Sequence, residues 1–178
     1  HSEYEIIYVE KGEGDCLVGD SIISYSKGDL ILFGSELPHS MQSPPDGGEE
    51  SDNEEKSELK VRGVNIQFEK DFMHYSISQY SQFIPIRNLL EDACRGIKFT
   101  ITRSGKIIKL LKQIPSAKGV DQIILLLSLL QMMATSNHRK YLTTSHYTPS
   151  PSIMRNERME KVIAYLNKHY TESIGLDE

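Results

Sequence analysis

The chain has 178 residues, 38% hydrophobic and 25% charged, a length that suits one domain with an appendage or two small ones and is enough to bury a core. No run of about 18 or more apolar residues occurs, which leaves no candidate transmembrane helix. The formal net charge of −5 is concentrated in residues 44–58, PPDGGEESDNEEKSE, whose seven acidic groups and one lysine give −6 and leave +1 for the rest, with no basic stripe of the kind that follows a phosphate backbone.

Residues 4–33 are expected to form antiparallel strands. YEIIYV is rich in Ile, Val and Tyr, and KGEG supplies turn residues after it. CLV and SIIS flank Gly19-Asp20, a two-residue hairpin signal, and KGD turns the chain into LILF. A fifth strand is expected at LKVRGVNIQF, residues 59–68. Short strands with glycine turns predict a β-sandwich or small barrel. The acidic stretch 44–58 has no aliphatic or aromatic residue and is expected to be a disordered surface insertion, because it has too little apolar surface to offset its ordering entropy.

After residue 70 the apolar period changes from two to 3.6. Ile86, Leu89, Leu90 and Ala93 mark one helix. GIKFTI reads as a short strand or extended link. Ile107, Leu110, Leu111 and Ile114 mark a second helix, stopped near Pro115. An apolar helix follows from about Val120 to Thr135, then the Pro-Ser linker YTPSPS, then an amphipathic helix carrying Met159, Val162, Ile163, Leu166 and Tyr170. The fold class expected is α+β. Cys16 and Cys94 form no CxxC pair and fit buried thiols in a reducing compartment better than a disulfide framework or a zinc site.

Same-parity residues of a strand share a face, so His1, Glu5, Ile7 and Val9 should point one way, with two polar groups at the mouth of an apolar face. GDLILFGSELPHSM delivers His39 just after a strand. Imidazole nitrogens and a carboxylate oxygen are the ligand types a divalent metal takes. On the plainer alternative, Glu5 accepts backbone hydrogen bonds and His39 caps a turn after Pro38. HSEYEIIYVEKG followed by GDLILFGSELPHS resembles the cupin pattern, in which two motifs build a metal site inside a β-barrel. Gly28 and His39 match the second motif. Gly34 stands where proline is usual, and Ser43 where the closing Asn belongs. A metal set implied by this resemblance is His1, Glu5 and His39.

The C-terminal RMEKVIAYLNKHYTESIGLDE resembles the first helix of the DNA-binding domain of AraC-type transcription regulators. IQFEKDF and IPIRNLLEDACRGIKF resemble the helical part of sensor domains in one branch of that family. The resemblance implies a cupin-like antiparallel β-barrel or jelly roll over 1–70, a helical dimerisation part over 71–146, a linker at 147–156, and at 157–178 the start of a helix-turn-helix domain that stops before either recognition helix. It further implies a cytoplasmic bacterial protein that controls transcription. Such a protein is not an enzyme and has no cofactor. It senses a small-molecule effector, a sugar among the candidates, with His1, Glu5 and His39 as ligand-binding residues, and reaches DNA only through the C-terminal domain. The rival reading is a metal-dependent cupin enzyme, of dioxygenase or isomerase type, with the same three residues on the metal.

The helix VDQIILLLSLLQMMAT is apolar over most of its circumference. Asp121, Ser128, Gln131 and Thr135 form a narrow polar stripe. The rest divides into Ile123, Leu126, Leu127 and Leu130 on one face and Leu125, Leu129, Met132 and Met133 on its neighbour. One face is expected to pack within the chain and the other to pair two copies. Leu125, Leu126, Leu129, Leu130 and Met133 are the homodimer candidates; a core helix covered on both sides by its own chain is the alternative.

Overall fold

The computed structural model describes residues 1–42, 61–101 and 105–148. The expectations for the acidic stretch 44–58, for most of the linker and for the helix at 157–178 lie outside these residues. In chain order the elements are strands β1 (Tyr4–Lys11), β2 (Glu13–Val18), β3 (Ser21–Ser26), β4 (Asp29–Phe33), β5 (His39–Gln42) and β6 (Arg62–Phe68), helices α1 (His74–Gln79) and α2 (Ile84–Asp92), strand β7 (Ile97–Thr100), helices α3 (Gly105–Gln113) and α4 (Val120–Ala134), and strand β8 (Arg139–Tyr141). The class is α+β.

Every strand pairing is antiparallel. One sheet has the order β6-β1-β4-β7-β8, the other β3-β2-β5. Among the described residues no ladder joins the two sheets. Gly19 and Asp20 make the two-residue turn between β2 and β3, with Val18 opposite Ser21. GIKFTI resolves into β7, which pairs with β4, so the chain returns to the first sheet after two helices. Three elements have no counterpart among the sequence expectations: β5, β8 and α1. Each is short and has at most one fully buried side chain, so periodicity gives no sign of them.

Strand parity divides the interior in two. Ile6 of β1, Leu30 and Leu32 of β4, Ile66 and Phe68 of β6, and Ile97 and Phe99 of β7 face the helices. Val9, Ile31 and Phe33 face the other way and meet Cys16, Val18 and Tyr25 of the smaller sheet. The five-stranded sheet is thus covered on both faces. β4 shows this most directly: Leu30 to Phe33 are all buried, which is why LILF is an unbroken apolar run. Both thiols are free, and burial pushes Cys16 up to about 11, well above its ordinary value.

α4 corrects the expected interface. Leu126, Leu129, Leu130 and Met133 are buried in the chain's own core against the first sheet and α2, and Leu125 is half-buried. Both predicted faces contribute to one packing stripe, because side chains three and four residues apart stack along a helix. The apolar residues left exposed are Val120, Ile123 and Ile124, near the helix start.

The last described segment straps across the ends of both sheets. Leu142 N–H donates to the carbonyls of Gly96 (3.0 Å) and Arg95 (3.3 Å), and Thr143 N–H donates to Arg95. The Arg95 guanidinium donates to Thr144 O at 3.1 Å. The Asp20 carboxylate accepts from both the backbone N–H and the hydroxyl of Thr144, which lowers its pKa. Leu142 is buried between the sheets, and Tyr147 packs on the same cluster.

Candidate functional site

The alternation of β1 sends Glu5, Ile7 and Val9 into the space between the sheets and Tyr4, Ile6 and Tyr8 toward the helices, as the parity of the sequence indicates. Glu5 is only 5% exposed, a rare state for a carboxylate, and it is stabilised by four neighbours. One oxygen, Oε1, accepts from the amides of Asn65 (2.6 Å) and Gln67 (2.9 Å) on β6. The other, Oε2, lies 2.6 Å from Nε2 of His39 and 3.5 Å from Nε2 of His1. Burial alone would raise the Glu5 pKa. Hydrogen bonds from His39, Gln67 and Asn65, with the charge of His39, outweigh it and hold the carboxyl at about 2.

His39 is fixed by its own geometry. Its Nδ1 lies 2.8 Å from the Leu37 carbonyl, which can only accept, so Nδ1 carries a hydrogen and Nε2 is the nitrogen turned toward Glu5. Its ring stacks flat on Phe33, with centroids 4.0 Å apart and planes 3° from parallel, and meets the His1 ring edge-on at 5.2 Å. The carbonyl that orients it belongs to the turn Gly34–Leu37, in which Glu36 takes a left-handed φ of 64° and its N–H donates to His1 O. That one turn therefore locates His39 and ties down His1. His39 is the first residue of β5, opposite Val18, and its ring reaches both the turn, at the Leu37 carbonyl, and the Glu5 carboxylate.

The three residues singled out in the sequence come together: one ligand atom from each of His1, Glu5 and His39 lies within 4.8 Å of the others. The donor set fits a transition metal. It offers two imidazoles and a carboxylate, with the tautomer of His39 already set by its second nitrogen. Asn65 and Gln67 are not among the residues the sequence singles out. Their signal was present in VNIQF, where two amides alternate with three apolar residues on a strand whose apolar face is buried.

Beside this polar cluster lies a half-open cavity of about 260 Å³ between the two sheets, walled by Ile7, Val9, Tyr25 and Met41 and reached past β6. Asn65 belongs to both: its amide lines the cavity and donates to Glu5. Apolar walls with a few oriented polar groups at one end form the usual composition of a small-molecule site. Among the described residues no helix is long and apolar enough to cross a membrane.

Two comparisons with known proteins bear on this chain. No curated protein matches it. A family model described as an AraC-like ligand binding domain matches residues 1–141, a span that takes in both described sheets, the polar cluster and the four described α-helices.

Proposed function

The chain belongs to the AraC-like ligand-binding-domain family, which is regulatory, and from that premise we propose that it is the effector-sensing and dimerising region of a DNA-binding transcription regulator. One observation carries the reading: Asn65 lines the cavity between the sheets and donates to the buried Glu5 carboxylate, whose other partners are the Gln67 amide and the imidazoles of His39 and His1. Amides, imidazoles and a carboxylate offer both donors and acceptors, the complement that a hydroxyl-rich molecule requires. The effector proposed is a small polyol of the sugar class, with Glu5, His39 and His1 at its polar end and Ile7 and Met41 against its carbon face. The paired sheets also support a cupin-like jelly-roll reading of residues 1–70. DNA contact belongs to residues beyond 157, in a protein of the cytoplasm.

The exit strap supplies a route for the signal. Leu142 and Tyr147 pack in the same cluster as Ile7, Val9, Tyr25 and Met41. A ligand that repacks those walls acts on the segment that leads out of the unit, which is the differential contact a coupled equilibrium needs. Calorimetric titration of the chain with a panel of neutral monosaccharides tests this. Saturable binding by at least one of them, lost in Glu5→Ala, is expected. No heat from any member would sink the sugar reading.

The convergence of His1, Glu5 and His39 favours a second reading, a metal-dependent cupin enzyme. A metal bound there would act as a Lewis acid with open positions. The chain's own residues would orient it: Leu37 through Nδ1 of His39, and Asn65 and Gln67 through the far oxygen of Glu5. About one transition-metal ion per chain after purification without added metal, together with turnover, selects this reading; metal-free protein that binds a sugar selects the first.

A further inference from the structure

A second cavity, of about 200 Å³, lies on the opposite face of β1, where Tyr4 meets α1, α2 and the turn that follows β6. Its character differs from the cavity between the sheets. Phe72, Ile77 and Leu90 give it apolar walls, while Lys70, His74 and Arg87 bring basic groups from three separate segments. Arg87 is unusual among them. Its Nε is buried without a hydrogen-bond partner, and among the described residues its guanidinium makes no ion pair. Glu91 lies one helical turn further along α2 and also lines the cavity, at the spacing where an ion pair usually forms, yet the two do not pair. A buried N–H without an acceptor is destabilising, and nearly every such group in a folded protein finds one.

The missing partner can be specified chemically. A guanidinium presents parallel donors that match the two oxygens of a carboxylate. The Tyr4 phenol adds a neutral donor: burial raises its pKa, with smaller contributions from Cys94 and Glu91, so its O–H stays protonated. Of the remaining walls Phe72, Ile77 and Leu90 are hydrocarbon, with Ser78 and the Glu91 carboxylate beside them, a lining that disfavours a fully hydrated, multiply charged anion such as inorganic phosphate. The volume is below the roughly 300–1,000 Å³ of sites for drug-sized ligands, so the occupant is compact.

We propose that this cavity is a second ligand site, taking a small organic carboxylate whose charged end is bound by Arg87, Lys70 and His74 and whose apolar body rests on Phe72, Ile77 and Leu90. It is separate from the effector pocket and does not depend on that pocket's assignment. Tyr4 and Glu5 are adjacent residues pointing to opposite faces of one strand, so the two ligands would sit back to back across β1.

The test uses benzoate as the probe and the chain as it stands, followed by calorimetry and by methyl NMR. Benzoate is expected to bind saturably at millimolar concentration or below and to shift the methyls of Ile77 and Leu90 while leaving Ile7 and Met41 in place. Benzamide, of the same shape without the charge, should bind about tenfold more weakly, and Arg87→Met should weaken benzoate by about tenfold or more. Circular dichroism checks that the variant folds. If it does not, the wild-type methyl map and the benzoate-to-benzamide ratio decide alone. Absence of saturable binding, equal affinity for benzamide, or shifts confined to Ile7 and Met41 overturns the proposal. So does inorganic phosphate that competes as well as benzoate, since an apolar body would then count for nothing.

Discussion

Glu5 concentrates most of the chemistry of the site in one side chain. Its folded pKa of about 2 lies below the ordinary 4.5, so the ionised cluster favours the folded state above pH 4.5, and that contribution fades as the pH falls toward 2. At neutral pH it is on the order of 3 kcal/mol. The hydrogen-bond inventory separates two substitutions. In Glu5→Gln the side-chain oxygen still accepts from Asn65 and Gln67, and the new amide can donate to Nε2 of a neutral His39 whose hydrogen is on Nδ1. In Glu5→Ala the amides and His39 lose their shared acceptor. Urea unfolding at pH 7 should show a loss of about 1 kcal/mol for the first and about 3 kcal/mol for the second. Both variants should lose the acid limb between pH 4.5 and 2. An acid limb that survives in Glu5→Gln would assign it to another group. Strand parity alone puts Glu5, Ile7 and Val9 on one face, and the spacing of the second motif identifies His39, so this part of the site is legible in the sequence. The Phe33–His39 stack is not legible there, because it depends on how the turn between them folds back, and no periodicity encodes that.

Gly34 shows why an element can depart from a family pattern and still fold. The cupin pattern usually has proline there. In this chain the Gly34 N–H donates to the Ala93 carbonyl at 2.9 Å, a bond that proline cannot make. A Cβ at this position would come within 2.5 Å of the same carbonyl oxygen. The end of β4 and the short 3-10 turn at Ala93–Arg95 therefore touch backbone to backbone, and that turn starts β7. Gly34→Ala should lower stability by about 1–3 kcal/mol, seen as a lower urea midpoint with little change in slope. An unchanged midpoint would mean the turn moves aside freely. Contacts of this kind, made between distant segments, also explain what the sequence leaves unread at this scale. β5 and β8 are four and three residues long and exist because β2 and β7 offer them an edge. The longer elements, by contrast, carry their own signal: α2, α3 and α4 fall where hydrophobic spacing puts them, and the Gly19-Asp20 hairpin falls where its turn residues put it. For α4 the period gives the helix but not which part of its wide apolar arc stays outside, since that depends on what packs on it.

As a whole, the described unit, His1–Tyr147, leaves several apolar side chains uncovered, among them the pair Leu17 and Ile22 on the smaller sheet and a cluster of three at the start of α4. Val120 is 70% exposed, Ile124 53% and Ile123 40%, and a shallow groove of about 400 Å³ runs beside Ile124 between the start of α4 and the end of α3. A homodimer is proposed to form here, at the start of α4, with Leu126, Leu129, Leu130 and Met133 left to the core. Light scattering should report a dimer for the chain and a folded monomer for Ile124→Glu. Leu129→Glu should fail to fold, because it places a charge where exposure is zero. A wild-type chain that is monomeric at high concentration, or an Ile124→Glu variant that still pairs, rejects this surface. The two-faced sheet has a consequence of another kind, for how such a protein can diversify. Positions Ile7, Met41 and Asn65 face the cavity between the sheets, while their neighbours Ile6 and Ile66 face the helices. A lineage adapting this cavity to a new ligand can therefore change residues two apart along β1 and β6 without disturbing the packing that keeps the helices in place. β4 has no such latitude, as it answers to a neighbour at every step from Leu30 to Phe33. Among descendants that differ in what they sense, β1, β5 and β6 should accumulate replacements at alternate sites, and β4 should stay nearly constant.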